Sequence, residues 1–469
     1  MAFSQLGVVM VSGMRCFGLV LAAGSVLLET SAIGGDTNLA GEVAATTPPS
    51  ISWIGPVGGP TTLTNMVKVD PAATAFRFSG ARVGPWDSTY PHDLFFVASG
   101  ITGTYAQLPY RAEFETDASQ LAIFTLGTLG QYRLRINGEY VGLPASQGPP
   151  ADGNFYWLQL SFPTSQRRAI RMESWGQAFG GVATQQGDNI YSPANALGPR
   201  CIVLGDSYTE GLLCYAQRLA DLMGWEVWSS GVGGTGYLNP GPAGRVKFRD
   251  RVQADVLQNN PDMVIIAGGI NDGSYPPRAL QNEAQALYHI IITNLPSTKL
   301  VVVGPWWPRG NPPQSILDTR DAIKSAAIGL GVTFIDPIGS TNVQQVNAGW
   351  ITGTGNVATP AGDGNADNYI SSDGTHPTDL GHQYLATKLA AALRTLVIPD
   401  PSPKLDLQML PGLQISGRIG RSYLVQWRTD LASNWVDATT VTLASSPQLW
   451  VDTSCTNASK RFYRALLLP

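Results

Sequence analysis

Cys201-Ile202-Val203-Leu204-Gly205-Asp206-Ser207-Tyr208-Thr209-Glu210-Gly211 is the stretch on which the reading of the fold turns. Residues 201–204 are uncharged and mostly aliphatic or β-branched, the composition of a buried parallel strand. Gly205 permits a sharp turn, and from Leu212 to Met223 the apolar spacing becomes helical. Ser207 is therefore expected where a strand turns into a helix, at the strand's carboxyl end. Backbone N–H groups at a helix start lack intrahelical partners and can hold developing negative charge. A serine placed there is a candidate nucleophile if a base can reach it. An ordinary N-cap serine is the alternative, and this stretch alone does not separate the two.

From Arg200 onward, strand-like runs alternate with helical ones. The strands are Ile202–Leu204, Val227–Trp228, Met263–Ala267, Leu300–Val303 and Val332–Ile335, and the helices lie near 210–223, 279–294, 315–329 and 379–396. That alternation predicts an α/β fold, a parallel sheet covered by helices on both faces. Such sheets bind ligands at the carboxyl ends of their strands. Three further polar clusters fall in loops of this kind. Gly233-Gly234-Thr235 follows the second strand, Gly269-Ile270-Asn271-Asp272 follows the third, and Asp373-Gly374-Thr375-His376 precedes the last helix.

A serine hydroxyl needs a base within hydrogen-bond reach. The chain has four histidines, His92, His289, His376 and His382. His376 has Asp373 three residues before it, a carboxylate able to take the other ring N–H and fix the tautomer. His382 lies within the last helix and reads as structural. His289 falls on the apolar stripe of the third helix and His92 lies in the first domain, so neither is expected to do chemistry.

The ordered set Gly205-Asp206-Ser207, Gly269-Ile270-Asn271-Asp272 and Asp373-Gly374-Thr375-His376 resembles the SGNH branch of the GDSL hydrolases, over residues 198–397. The resemblance implies a flavodoxin-like sheet and a serine esterase. It implies Ser207 as nucleophile, Asp373 and His376 as its triad partners, and an acyl-enzyme intermediate. It also assigns the oxyanion donors: the N–H of Ser207, the N–H of Gly234 (with Gly233 a one-residue alternative) and the amide of Asn271. Neither a metal nor an organic cofactor is implied, and Asp206 and Asp272 are expected to brace loops. One departure is Tyr208, where the family's namesake motif has Leu; an effect on packing or on the acyl pocket is expected.

Upstream, residues 51–190 are short alternating runs broken by Gly and Pro. They include Phe76-Arg77-Phe78, Leu94–Val97, Leu121–Phe124, Tyr132–Ile136, Tyr156–Leu160 and Arg168–Met172. Asn137-Gly138 has the chemistry of a type I′ hairpin turn. These predict a jelly-roll-like β-sandwich, similar to domains that precede the catalytic part of several SGNH carbohydrate esterases. Trp53, Trp86, Trp157 and Trp175 could stack on sugar rings, but alternating strands must bury one face, so most are expected in the core. Residues 398–404 carry three prolines, the composition of a stiff linker. Residues 405–469 return to alternation, with Tyr423, Val425 and Trp427 on one face of a small β domain.

The chain has 469 residues, 43% hydrophobic and 14% charged, with net charge −4, too little basic charge to suggest nucleic acid as a partner. Residues 1–32 read as a signal peptide: Met14-Arg15, an apolar run too short to span a bilayer, and a small-residue end. Residues 1–13 spoil that layout, which points to a start at Met14 or Met10. Residues 33–50 form a lead-in. The expectation is an exported, secreted or periplasmic or surface-bound protein without a membrane span in its mature form. Past the leader, Cys201, Cys214 and Cys455 match no metal spacing, and the first two read as small buried hydrophobes.

Trp306-Trp307 follow the strand Leu300–Val303, Tyr275 follows Asn271, and Trp350 and Tyr369 sit in a Gly/Thr/Asn-rich insertion, residues 349–370, before Asp373; Trp306, Trp307, Tyr275 and Trp350 are candidate substrate-binding aromatics. An exported enzyme with flanking β domains suggests an acylated polysaccharide such as acetylated xylan. Aryl, lipid or polyester esters are the alternative, and a non-catalytic glycan-binding protein is a more distant one. Sequence leaves the oligomeric state open.

Overall fold

The computed structural model describes residues 49–57, 65–86, 95–99, 108–339, 348–396, 412–430, 432–452, 454 and 461–468. The expected leader (1–32), most of the lead-in, Leu94, His92, Cys455 and the proline linker (398–404) lie outside the described residues. The chain divides into one compact unit spanning Glu29–Asp400 and a second that includes Pro401–Pro469.

The first unit begins with two antiparallel sheets. One runs in the order Ser50–Val57, Phe155–Ser161, Gln120–Leu126, Val182–Gln185, Met66–Val69. The other is built on β1 (Tyr110–Thr116), β2 (Gln131–Ile136) and β3 (Arg168–Trp175), with β3 central. Alternation explains the layering. Ala112 and Phe114, Leu134 and Ile136, and Ile170 and Met172 point inward to meet Leu121, Ile123, Leu158 and Leu160 of the facing sheet. Asn137 and Gly138 take φ of 52° and 86°, the backbone a type I′ turn demands, and Ile136 pairs with Glu139 across it. The expected β-sandwich is present, and Trp157 is fully buried in it.

The outer face of the second sheet is charged yet buried. Arg111, Glu113, Arg133, Arg135 and Glu173 all lie inside the unit, because this face packs on a helix of the α/β part. That part has five parallel strands, β4 (Arg200–Gly205), β5 (Glu226–Gly231), β6 (Met263–Ala267), β7 (Lys299–Val303) and β8 (Thr333–Ile335), in the order β5-β4-β6-β7-β8. This is the flavodoxin-like order. Helices α1 (Tyr215–Met223), α2 (Phe248–Asp255), α3 (Pro277–Asn294), α4 (Gln314–Gly329), α5 (Ala366–Tyr369) and α6 (Asp379–Leu396) accompany it. Val203, Ile265 and Val301 face Tyr215, Leu219, Leu385 and Leu389 on one side. Ile202, Leu204, Val264 and Ile266 face Val252, Leu287 and Ile323 on the other.

Three expectations need correction. The helix after β4 starts at Tyr215, not Leu212: Gly211 has φ of 89° and Cys214 is the N-cap. Ser207 thus sits in a turn, not at a helix start. Helix α2 was not anticipated, because its buried face includes the polar pair Arg251 and Asp255 beside Phe248 and Val252, which hides the apolar stripe. His289 is on the exposed side of α3, near Thr293 at 3.4 Å, whereas Leu280, Ala284, Leu287, Tyr288 and Ile291 form the buried stripe. Cys201 and Cys214 are free and buried, as read.

In the second unit, Gly412–Ile415 pairs with Gln448–Val451, and Ser422–Arg428 lies between Val436–Thr442 and Phe462–Leu467. Its core is small: Ile415, Val425, Val441 and Leu443.

Within the charged face, burial alone would raise the Glu173 carboxyl, but Arg133, Arg111, Arg135 and Arg171 outweigh it and hold it at about 2. Arg133 bonds Glu173 directly. A carboxylate depressed in the folded state stabilises fully above its unfolded value near 4.5, and that share is lost as pH falls toward 2. Glu173→Gln, leaving buried guanidinium groups without their counter-charge, is expected to destabilise the protein by about 3 kcal/mol at neutral pH. Urea unfolding at pH 7 and pH 3 checks this: the gap between wild type and variant should narrow at the lower pH.

Candidate active site

The loops carrying Ser207, Gly234 and Asn271 leave the carboxyl ends of β4, β5 and β6, and the His376 loop lies between α5 and α6. After β4 the chain turns at once, with the Tyr208 N–H bonded to Asp206 Oδ1 (3.0 Å) and the Thr209 N–H to the Asp206 carbonyl (3.0 Å). This turn presents Ser207. Tyr208 points the other way, is buried, stacks on Trp306 with ring centres 6.1 Å apart, and donates its hydroxyl to the Thr375 carbonyl at 2.5 Å. The residue that departs from the namesake motif therefore ties the Ser207 turn to the loop carrying His376.

That loop completes a line of three side chains. Ser207 Oγ lies 2.9 Å from His376 Nε2, and His376 Nδ1 lies 2.7 Å from Asp373 Oδ2. The second Asp373 oxygen accepts the N–H groups of Thr375 (2.8 Å) and His376 (2.9 Å) and the Ser371 hydroxyl (2.8 Å). Partial burial would raise the Asp373 carboxyl, but the bonds from His376, Thr375 and Ser371 outweigh it and hold it well below the usual carboxylate range. Asp373 is thus an anion that orients the imidazole with Nε2 toward the serine.

The loop after β5 supplies Gly233 and Gly234. Gly234 has φ of 74°, a conformation glycine takes without strain. The Gly233 N–H is bonded to Glu210 Oε2 at 2.8 Å, and the Gly233 carbonyl accepts a hydrogen bond from Arg245. A side chain at Gly233 would run into Glu210 Oε2 at 2.6 Å and approach Ser207 Cβ at 3.5 Å. After β6, Asn271 donates one amide N–H to the Thr235 carbonyl at 2.9 Å, which holds its side chain against the β5 loop. Asp272 is buried and accepts the N–H groups of Tyr237 (2.9 Å), Leu238 (2.9 Å) and Asn239 (3.0 Å). Asp206 is fully buried, and burial together with the nearby Asp272 pushes it up to about 7 against a bond from the Tyr208 N–H. Both aspartates brace loops.

These groups line one open cavity of about 640 Å³. Ser207, Gly233, Gly234, Asn271 and His376 meet there, with Glu210, Arg245 and Ile270 beside them. His382 also lines it; burial holds its ring down at about 3, and its Nδ1 accepts the Tyr215 N–H at 3.2 Å, so it is a neutral structural histidine.

The aromatics expected near the substrate are elsewhere. Trp306 is 2% exposed and packs on Tyr208, Tyr215 and Trp350 in the core. Trp350 lies against the same core, and Trp307 packs against the small cluster of Ile316, Leu317 and Ile338. None of these, nor Tyr275, lines the cavity. Its aromatic lining residue is Trp175, joined by Gln131, both from the sandwich. No periodicity in the sequence marks a sheet face as the wall of a distant site, so this could be found only from the fold. Among the described residues there is no cluster of His, Cys, Asp and Glu that could hold a metal, and no helix long and apolar enough to cross a membrane.

Residues 203–384 match the GDSL-like Lipase/Acylhydrolase family. The GDSL lipase Rv0518 of Mycobacterium tuberculosis is 30% identical over 209 residues, 40% of this chain and 78% of that protein. Two solved structures share the fold across both the sandwich and the α/β part. One is a family two carbohydrate esterase from Cellvibrio japonicus (TM-score 0.51, 15% identity, 70% of this chain and 97% of that one). The other is the salicylyl-acyltransferase SsfX3 of a tetracycline biosynthetic pathway (TM-score 0.52, 14% identity, 72% of this chain and 100% of that one). With the Ser207 turn, the Asn271 loop and the His376 loop all inside the matched span, the chain belongs to the GDSL-like lipase/acylhydrolase family and is a carboxylic ester hydrolase.

Proposed function

We propose that this is an exported serine esterase that removes acyl groups, acetyl foremost, from a polysaccharide such as xylan. The observation that carries the chemistry is the unbroken hydrogen-bonded line Ser207–His376–Asp373 at the edge of an open cavity. His376 Nε2 takes the Ser207 proton as Oγ attacks the ester carbonyl, and Asp373 stabilises the imidazolium that forms. The same proton then passes to the leaving alcohol, giving an acyl-Ser207 intermediate. Water attacks that intermediate, its proton goes to His376 and returns to Ser207 Oγ, and the carboxylic acid departs.

Negative charge on the carbonyl oxygen needs donors already in place. The backbone N–H groups of Ser207 and Gly234 and the Asn271 amide fill that role in this reading. Gly234 is preferred to Gly233 because the Gly233 N–H is committed to Glu210. Arg245 is then a positioning residue. In a trans peptide the carbonyl of one residue and the N–H of the next point in opposite directions. By holding the Gly233 carbonyl, Arg245 fixes the direction of the Gly234 N–H.

The polysaccharide is favoured by the site's form. Its walls carry an amide, a carboxylate, a guanidinium and an indole, and the cavity far exceeds an acetyl group. The Cellvibrio japonicus esterase, named for carbohydrate substrates, shares both layers of this fold.

Ser207→Ala is expected to abolish hydrolysis of both p-nitrophenyl acetate and acetylated xylan, measured by p-nitrophenol and acetate release. Wild-type turnover of the small ester alone would retain the mechanism and reject the polysaccharide. Arg245→Met should lower kcat on p-nitrophenyl acetate by about tenfold to a hundredfold, less than the loss of a whole donor, with KM changing much less. Arg245→Lys should recover part of it. A change confined to KM would assign Arg245 to substrate binding instead.

A further inference from the structure

The sandwich meets the α/β part through a repeating pattern whose last member lies in the catalytic cavity. Residues of β1, β2 and β3 that face outward pair across the strands in rungs. Arg135, Arg171 and Glu113 form the first, with Arg171 opposite both others. Arg133, Glu173 and Arg111 form the second, with Glu173 opposite both others. Gln131 and Trp175 form the third.

Helix α1 meets the first two rungs one turn apart, and the segment just before the helix meets the third. Arg135 bonds Asp221 at 2.7 Å, and Arg171 lies 3.7 Å from the same carboxylate. Arg111 reaches the Gln217 side chain at 3.3 Å. The third rung shares the cavity wall with Leu212, Leu213 and Cys214. Asp221 and Gln217 are four residues apart on α1, and Leu213 lies in the turn two residues before the helix begins. Two strand residues rise roughly 6.8 Å and four helical residues roughly 6 Å, so the first two rungs stay in step with one turn of α1, and the turn that precedes the helix meets the third. The docking register therefore carries Gln131 and Trp175 to the segment that follows the Ser207 turn.

We propose that Trp175 and Gln131 form the subsite for the leaving alcohol, a pyranose ring, and that the sandwich is thereby part of the substrate-binding site. This rests on the esterase reading above. Both side chains are half-buried, so each has a firm seat and an open side. The indole offers a flat apolar face to the C–H face of a sugar, at little loss of rotamer freedom. The Gln131 amide beside it carries both a donor and an acceptor for ring hydroxyls. An acetyl group needs only a small part of 640 Å³, which leaves room for a sugar ring, and the third rung is wall to that space.

The test compares acetylated xylotriose, which has rings to stack, with ethyl acetate, which has none, followed by acetate release or pH-stat. Trp175→Ala should reduce kcat/KM on acetylated xylotriose by about tenfold, chiefly through KM, a loss at least several-fold greater than on ethyl acetate. Trp175→Phe, which keeps an aromatic face, should restore most of it, and Gln131→Ala should show the same selectivity more weakly. Equal losses on the two substrates would mean a structural role for Trp175 and overturn the subsite while leaving the esterase reading intact. Wild-type turnover of ethyl acetate with none of acetylated xylotriose would instead overturn the polysaccharide reading, and the pyranose subsite with it.

Discussion

The geometry of the site depends on one buried guanidinium. Arg251, fully enclosed on α2, donates to the Gly205 carbonyl at 2.5 Å and to the Ser230 carbonyl at 2.9 Å, while Asp255 Oδ2 accepts from it at 2.9 Å. Gly205 ends β4 and Ser230 nearly ends β5, so a single planar group holds together the two strand ends from which the Ser207 and Gly233–Gly234 loops depart. The Gly205 carbonyl also accepts the Val232 N–H at 3.1 Å, so Arg251 adds a second donor there, as buried backbone carbonyls at a sheet end require partners. A charge without its counter-ion would be costly there, and Asp255 supplies it. The same solution recurs at β6, where buried Asp272 gathers three backbone N–H groups. Ser207, Gly233, Gly234 and Asn271 sit on turns, and buried charged side chains beneath hold those turns.

Much of this was legible in the sequence, for a physical reason. Strands buried on both faces read as continuous apolar runs, so β4, β6 and β7 stand out, and polar clusters at their ends can then be placed on one edge of the sheet. Ser207 and Asn271 are placed this way, Asp373 and His376 by their spacing before the last helix, and the structure brings Ser207, Asn271 and His376 to one cavity with Asp373 bonded behind His376. Failures came where polarity was buried or where proximity in the chain was taken for proximity in space. Helix α2 hides its inward face behind Arg251 and Asp255. Trp306 follows β7 immediately, yet it turns into the core to support Tyr208 from behind. Trp175 lies more than thirty positions before Ser207 in the numbering, and only the packing of one sheet against α1 brings it near.

Alternating Arg and Glu on β1, β2 and β3 carried a signal of its own. On a lone sandwich such a face would read as a solvated surface. Its density of opposite charges at facing positions is equally what a docked face requires, since charges removed from water need partners. Sequence periodicity gives the face but not what covers it. Structure decides between the two readings, because Glu173 is wholly enclosed among guanidinium groups.

The matched spacing of rungs and helical turns bears on modularity. An accessory domain joined by a tether can be exchanged, duplicated or lost with little consequence for its neighbour. Here separation would uncover on one side a row of buried guanidinium and carboxylate groups, and on the other the flank of α1 that answers them. Grafting a foreign sandwich would succeed only if it reproduced the same charges at the same two-residue intervals. Such a pair has to be engineered as a single piece.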